Sequence, residues 1–252
     1  MATLLFEPEA RKMGLTLRKT DVAVYGVGRD RPAYYARVKE FRVGTLAESN
    51  VDIVVAGQGV AGIQGVVGAK LLHQADVEFD LPDGKIRFFT PHDCMGDQVV
   101  YWGQAYAVAP LVPVRDDRIM IAVEVNGMRD VAQLDTSASE TVLTGTAAAS
   151  AGVTPRSTGV AAEGHVRGLD SEPVKVFVGD FASFSFGDET IHNAELRIVD
   201  LYGIALTDQP QLLLGTDFLR AHRIYVARAQ HKVYASYEGG PVFRPPAPPP
   251  KP

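Results

Sequence analysis

The 252-residue sequence has little of three features that often indicate function: cysteine, excess positive charge and long apolar runs. Its single cysteine, Cys94, excludes an intrachain disulfide and a metal site built from several cysteines. A formal net charge of −5 argues against a nucleic-acid partner, because such partners select a basic face. No apolar run approaches the roughly 20 residues of a membrane-spanning helix. The remaining composition, 46% hydrophobic and 22% charged, is typical of a globular protein with a sizeable core.

The histidines and the N-terminus support two further negative predictions. The six histidines are spread along the chain, and none forms a His-x-x-x-His pair, so we predict no metal site. The segment from Met1 to Glu7 has neither a basic stretch nor a long apolar one, so no signal peptide is visible.

One stretch of the sequence has the pattern of a hairpin that leads into a carboxylate. Residues 120–127 alternate between apolar and polar side chains and then break at an Asn-Gly pair, which predicts a β-hairpin turn. The next apolar run ends at Asp135, and a loop of small residues follows. Much further along, three leucines end at Gly215.

The chain also contains an internal repeat. Residues 14–26 align without a gap on residues 152–164, at an offset of 138 (152 − 14). Two later matches, of Gly44 with Gly187 and of Gly68 with Gly215, have offsets of 143 and 147 (187 − 44 and 215 − 68). Two copies of one unit predict two similar lobes. Many short strands separated by glycine turns predict an all-β architecture.

Local patterns predict several individual elements. Residues 7–14 read as a short helix with proline in its first turn and glycine at its end. A Pro-Asp-Gly turn at 82–84 separates two strands, 77–79 and 85–89. Residues 66–75 read as one short helix, and residues 108–112 as an outer strand.

The hairpin, the Asp-Thr-Ser-Ala-Ser loop at Asp135 and the distant Leu-Leu-Gly at Gly215 together resemble one lobe of a retropepsin-like aspartic protease of the pepsin superfamily. The resemblance implies an all-β fold of two homologous retropepsin- or pepsin-like barrel lobes with short helices. We expect an N-terminally incomplete first lobe (1–97), a second lobe (98–244) and a proline-rich tail (245–252). The implied activity is hydrolysis of peptide bonds in a peptide or protein substrate, without a cofactor. The implied location is periplasmic or secreted, on which the sequence itself is silent.

The resemblance also implies roles for particular residues. Asp135 would activate water, and the apolar strand that ends at Gly215 would pack beside its loop. Thr136 would hydrogen-bond across a pair of loops. Ser137 stands where the family has a glycine, whose missing side chain permits close approach or positive φ. The remaining expected positions are three residues of a substrate-covering flap (Gly164, His165 and Val166) and Asp217, which we expect to cap a short helix over 218–221.

The expected chemistry needs two carboxylates that share one proton, and the sequence supplies one. The repeat offset places the first-lobe counterpart of Asp135 before Met1, and no other Asp-Thr-Gly or Asp-Ser-Gly occurs. Two alternatives stay open: Met1 is not the native start, or this chain carries half a site. In the second case a homodimer would bring two copies of Asp135 together.

Two other functions compete with the protease interpretation. One is a peptide-binding or assembly module that keeps the cleft without hydrolysis. The other is dinucleotide binding, because Gly57, Gly59 and Gly62 follow a strand and acidic Glu78 or Asp80 comes about 20 residues later. Against the second, Gly62, Gly65 and Gly68 would weaken the required helix, and the chain lacks alternating strands and helices.

Overall fold

The computed structural model describes residues 3–24, 31–59, 62–90, 95–103, 105–166, 173–199 and 210–243. Within these ranges the chain is mostly strand, arranged in three sheets with short helices, so the predicted all-β class is confirmed. The strands before residue 115 are β1 (Leu4–Leu5), β2 (Leu17–Val24), β3 (Arg31–Val43), β4 (Leu46–Val55), β5 (Gly65–Val66), β6 (Asp76–Asp80), β7 (Lys85–Phe89) and β8 (Ala107–Pro110). The later strands are β9 (Met120–Val125), β10 (Met128–Leu134), β11 (Val142–Leu143), β12 (Ala161–Val166), β13 (Val174–Phe186), β14 (Glu189–Val199), β15 (Leu212–Leu214), β16 (His222–Ala227) and β17 (Lys232–Tyr237). The helices are α1 (Glu7–Lys12), α2 (Ala69–Leu72), α3 (Gly145–Ser150) and α4 (Thr216–Leu219).

Six strands of the second half close into a barrel. Their order is β13-β14-β11-β15-β10-β9, and β9 pairs again with β13 while β12 extends the sheet beyond β13. The alternation in β9 buries Ile121, Val123 and Val125 inside this barrel. The predicted turn at Asn126 and Gly127 has φ of 51° and 75°, as a tight hairpin requires, and it returns the chain as β10 toward Asp135.

The first half repeats part of this arrangement in a five-stranded sheet of order β2-β3-β4-β1-β5. There β1 lies parallel to β4 and antiparallel to β5, just as β11 lies parallel to β14 and antiparallel to β15. The partners correspond at offsets of 138, 143 and 147 residues, so the repeat is confirmed at the level of strand register. The corresponding pairs are Leu4–Val54 with Val142–Arg197, and Leu4–Val66 with Val142–Leu213.

A side-chain hydrogen bond is repeated at the same offsets. The backbone N–H of Gly68 donates to Oγ1 of Thr3 at 3.0 Å, and that of Gly215 donates to Oγ1 of Thr141 at 3.0 Å. In both halves a threonine hydroxyl therefore holds the glycine that ends the apolar run. The bond satisfies a backbone donor at the start of a short helix, where no intrahelical partner exists.

The third sheet joins the two halves. Its order is β7-β6-β16-β17-β8, so β6 of the first half pairs directly with β16 of the second. Val77, Ile224, Val226 and Val233 are fully buried on it and belong to the main core. Because strands from both halves share this sheet, the lobe boundary at residue 97 stays a prediction.

The predicted helix over residues 66–75 is wrong. Residues Gly65–Val66 form β5, and Gly68 then begins the four-residue helix α2. Strand pairing overrides the helical pattern here, since β5 pairs antiparallel with β1 and a Cβ on Gly65 would collide with the backbone oxygen of Leu4. The predicted α1, the turn at 82–84 and the outer strand near 108 are confirmed as α1, the β6–β7 turn and β8.

The architecture contradicts the dinucleotide interpretation. Residues 62–68 contain β5 rather than the start of a helix, and the preceding β4 lies antiparallel to β3. Gly59 has a packing reason of its own, because a Cβ there would lie 2.9 Å from the Phe6 ring. Glu78 and Asp80 are buried and form ion pairs with Arg87 and Arg223. Arg87 lies 2.8 Å from Asp80, and Arg223 donates to Glu78 at 3.0 Å. Neither residue therefore presents a carboxylate to a ribose.

Candidate active site

Asp135 lies at the end of β10, beside Gly215. Strand β10 runs parallel to β15, with Leu134 opposite Leu214. The backbone N–H of Asp135 extends this ladder by donating to the Leu214 carbonyl at 3.0 Å. The expected proximity of the Asp135 loop and the apolar-Gly strand is therefore confirmed.

The Asp135 carboxylate is held by its own loop. Its Oδ1 accepts the backbone N–H of Ser137 at 2.8 Å and the Ser137 hydroxyl at 2.6 Å. Asp135 is half-buried, while Thr136 and Ser137 are exposed. The result is an oriented carboxylate that a bound molecule can reach.

Ser137 replaces the expected glycine without disrupting the loop, and it adds a hydrogen bond that glycine lacks. Ser137→Gly is expected to lower the free energy of unfolding by about 1 kcal/mol more than Ser139→Gly, because only Ser137 gives its hydroxyl to Asp135. Both changes add the same backbone freedom to the unfolded chain, so their difference isolates the hydroxyl. Urea unfolding of the two variants measures it, and equal losses would show that the bond contributes nothing.

Gly215 permits the Asp135 loop to pack directly on α4. A Cβ at Gly215 would lie 2.5 Å from the carbonyl carbon of Glu140 and 2.9 Å from the nitrogen of Thr141. Next to it, the N–H of Thr216 donates to the Ala138 carbonyl at 2.9 Å, and the Thr216 hydroxyl donates to the Ser139 carbonyl at 3.0 Å. The loop thus depends on a backbone-to-backbone approach that a side chain would prevent.

Asp217 does not cap a helix over 218–221, as the sequence predicted. Helix α4 begins at Thr216 with Gly215 as its N-cap, so Asp217 lies inside the first turn. Its buried carboxylate accepts the N–H of Thr141 at 2.8 Å and the Thr141 hydroxyl at 2.6 Å. Burial raises the pKa of Asp217, and the hydrogen bonds from Thr141 and Phe218 oppose that rise. Asp217 therefore ties α4 to the far end of the Asp135 loop.

A pocket opens at Asp135 between the two halves of the chain. One carboxylate, Asp135, and one guanidinium, Arg118, are present among the described residues that line it. Arg118 lies with its Nε 2.6 Å from Oδ2 of Asp116. The lining residues are Val66, Val67, Ala69, Leu72 and Phe79 from the first half, and Arg118, Ile119, Gln133, Leu134, Asp135, Thr136 and Ser137 from the second.

The three predicted flap residues lie in β12, outside the lining of this pocket. Gly164, His165 and Val166 pair with Val176, Lys175 and Val174 of β13. Residues 167–172, which follow them, and residues 25–30, where the first-half counterpart falls, lie outside the described residues. A substrate-binding role for this hairpin stays a prediction.

Two other kinds of site are absent from the same ranges. The described part of the chain contains no group of three or more His, Cys, Asp or Glu side chains that could hold a metal ion. None of its helices is long and apolar enough to cross a membrane.

Sequence reasoning missed Thr141, which accepts from Gly215 and donates to Asp217. The repeat contained the signal, because Thr3 occupies the same place in the first half. Sequence reasoning also missed the ion pairs of Arg197 with Glu140 and Glu163. No local pattern indicated them, because the three residues lie on separate elements.

Comparisons with known proteins give a family match over part of the chain. Residues 121–218 match the family described as "Aspartyl protease", a span that begins in β9, contains the Asp135 loop and ends in α4. Among solved structures, the retropepsin-like aspartic protease from Rickettsia conorii aligns with a TM-score of 0.37 and 18% identity over 53% of this chain and 91% of its own. The aspartic proteinase from Irpex lacteus aligns with a TM-score of 0.47 and 12% identity over 88% of this chain and 82% of its own. Comparison with curated proteins gives no match.

Proposed function

We propose, from the match of residues 121–218 to the family described as aspartyl protease, that the pocket at Asp135 takes part in peptide-bond hydrolysis. The observation that carries the proposal is the oriented carboxylate. Asp135 ends a barrel strand, receives two hydrogen bonds from Ser137 and lines the pocket between the halves.

The chemistry assigns Asp135 one of two acid–base roles. One ionised carboxylate takes a proton from water while the water oxygen attacks the peptide carbonyl carbon, and a protonated carboxyl donates its proton to the carbonyl oxygen. The C–N bond of the tetrahedral intermediate then breaks as its nitrogen receives the proton that the first carboxylate took from water. The second carboxylate takes a proton from one hydroxyl of the intermediate, so the products are an amine and a carboxylic acid. Thr136 lines the pocket beside Asp135, and Ser137 orients the reacting group directly.

A second carboxylate has to approach Asp135 to within about 3 Å, where two acids share one proton. The described lining of the pocket offers no other carboxylate, and its first-half wall is apolar at Val66 and Val67. We propose that another polypeptide segment supplies the second acid, either from a second copy of this chain or from residues joined upstream of Met1.

The expected result is weak or absent cleavage by the monomer. Unfolded casein would be incubated with the chain between about pH 3 and pH 7, the range in which paired carboxylates titrate. Any cleavage should rise more steeply than linearly with protein concentration, and Asp135→Asn should abolish it. A chain extended upstream in its genomic frame provides the second arm, in which activity should appear at monomer concentrations.

Two outcomes would contradict this proposal. The first is cleavage by the monomer at a rate per molecule that does not depend on protein concentration and that Asp135→Asn abolishes. This outcome would mean that a second acid exists within the chain. Cleavage unaffected by Asp135→Asn would remove Asp135 from the chemistry.

Asp135 is the one carboxylate among the described residues that line the pocket, and this favours a second candidate function, peptide binding without hydrolysis. In that case labelled oxidised insulin B chain, an unstructured peptide, would bind the chain and stay intact at every protein concentration. Fluorescence anisotropy combined with mass spectrometry of the peptide separates the two functions.

A further inference from the structure

A buried arginine connects the loop that follows Asp135 with the edge hairpin of the barrel. Arg197 of β14 is only 3% exposed, and its Nε lies 2.7 Å from Oε2 of Glu140 and 2.8 Å from Oε2 of Glu163. Its Nη2 also donates a hydrogen bond to Oε1 of Glu163 at 3.0 Å. A buried cation needs such partners, because its desolvation is otherwise uncompensated.

The two carboxylates come from different elements. Glu140 lies at the end of the loop that starts at Asp135, just before β11. Glu163 lies in β12, which is separated from β14 by β13 in the sheet. The ion pair between Glu163 and Arg197 therefore reaches across an intervening strand.

A β-bulge directs Glu163 toward the arginine. Ala162 pairs with Phe177 and Gly164 pairs with Val176, so Glu163 has no partner in the register of β13. Such an extra residue bends the strand and changes the direction of a side chain. The φ of 124° at Gly164 is one that glycine adopts readily, which accommodates the bulge.

The three carboxylates near Arg197 differ in how exposed they are and in how firmly other residues hold them. Asp217 is buried and bonded to Thr141, and Glu140 is 28% exposed, whereas the side chain of Glu163 is 45% exposed. Burial raises the pKa of Glu140, the charge of Arg197 opposes that rise, and the charges of Glu163 and Asp217 add to it. Glu163 is thus the partner that can leave while Arg197 keeps its contact with Glu140.

We propose that Glu163 and Arg197 form a latch that holds β12 against the Asp135 loop, and that Glu163 is a positioning residue for peptide bound at Asp135. The second clause rests on the proposed function, whereas the latch itself does not. When the latch is closed, the hairpin and the loop share one buried cation. When it opens, β12 keeps only its ladder with β13.

The test of the latch is amide hydrogen exchange in Glu163→Gln, with Glu195→Gln as the matched control. The first change keeps the size of the side chain and leaves Arg197 paired with Glu140, so the barrel should fold. Glu195 also lies on β14, two residues from Arg197, and forms no ion pair among the described residues. Exchange of amides 161–166 should rise about tenfold in Glu163→Gln, as expected for loss of one charge-assisted hydrogen bond, and stay unchanged in Glu195→Gln.

Two exchange patterns would overturn the latch. The same rates in both variants would show that the ion pair does not hold β12. A rise that extends through β10 and β14 would show a general loss of stability instead of release of one strand.

A binding measurement then tests the positioning role without any need for turnover. Oxidised insulin B chain would be titrated onto Asp135→Asn with and without Glu163→Gln, followed by fluorescence anisotropy. The dissociation constant should rise about tenfold in the double variant. The reason is that β12 loses roughly one charge-assisted hydrogen bond that keeps it ordered. Faster exchange with unchanged affinity would refute positioning and keep the latch. Absence of binding in both backgrounds would refute the proposed peptide function, while the exchange result still decides the latch.

Discussion

Replacing Gly215 with alanine is expected to lower the free energy of unfolding by about 3 kcal/mol, the upper part of the range for overpacking a tightly packed site. The added Cβ would lie 2.5 Å from the carbonyl carbon of Glu140 and 2.6 Å from its oxygen. Both contacts are with backbone, so no side chain can rotate away. The loop must move instead, which would strain the bonds from Thr216 to Ala138 and Ser139.

The matched control for this prediction is Gly103→Ala. No heavy atom lies within 4 Å of a Cβ at Gly103, so its effect should stay within about 0.5 kcal/mol. Urea unfolding of both variants gives the comparison. If the two variants are equally stable, the close approach beneath the Asp135 loop is not what requires glycine.

Asp217→Ala is expected to lower the free energy of unfolding by about 3 kcal/mol, because it leaves buried donors without an acceptor. The backbone N–H and the hydroxyl of Thr141 would both lose their partner, as would the N–H of Phe218. Asp180→Ala, at an exposed aspartate of β13, should change stability by less than about 0.5 kcal/mol. Equal losses in the two variants would contradict the proposed tie between α4 and the loop.

The same residue predicts a pH dependence of stability. Burial raises the pKa of Asp217 above its ordinary value of 3.8, so the folded state keeps this proton to higher pH than the unfolded state. At a pH between the pKa of Asp217 in the unfolded state and its pKa in the folded state, the folded state binds more protons. Stability therefore falls as pH rises through this range. Below pH 3.8 both states are protonated and the loss is absent. The difference in free energy of unfolding between the wild-type protein and Asp217→Ala, measured by urea unfolding across pH, should fall as pH rises. A difference that rises with pH would contradict the raised pKa of Asp217.

The strand pattern and the internal repeat were sufficient to predict the main features of the site from sequence. Alternation in residues 120–125 and the Asn-Gly turn determine which face of the hairpin is buried, and a register slip would turn every apolar residue outward. The repeat offsets predicted two similar lobes, and in the structure the same offsets relate the strand partner of Leu4 to that of Val142. The proximity of Asp135 to Gly215 was implied by the resemblance to one protease lobe, and the structure confirms it.

Tertiary structure alone decided the contacts that hold the site in place. Asp217 and Thr141 are 76 residues apart, and their hydrogen bond forms only after α4 packs against the loop. Local sequence gave Asp217 a capping role because an aspartate before a helix usually has one. The actual helix begins at Thr216, two residues earlier than expected, and Gly215 is its N-cap.

The Arg197 cluster shows the same division between local pattern and packing. The resemblance placed Gly164, His165 and Val166 in a flap, but nothing in the sequence indicated that Glu163 is the unpaired residue of a bulge. That depends on the register between β12 and β13, which shifts at this point. A long-range ion pair has no sequence period, whereas strands and turns do. Periodic patterns therefore predicted the elements, and only packing determined which charges meet between them.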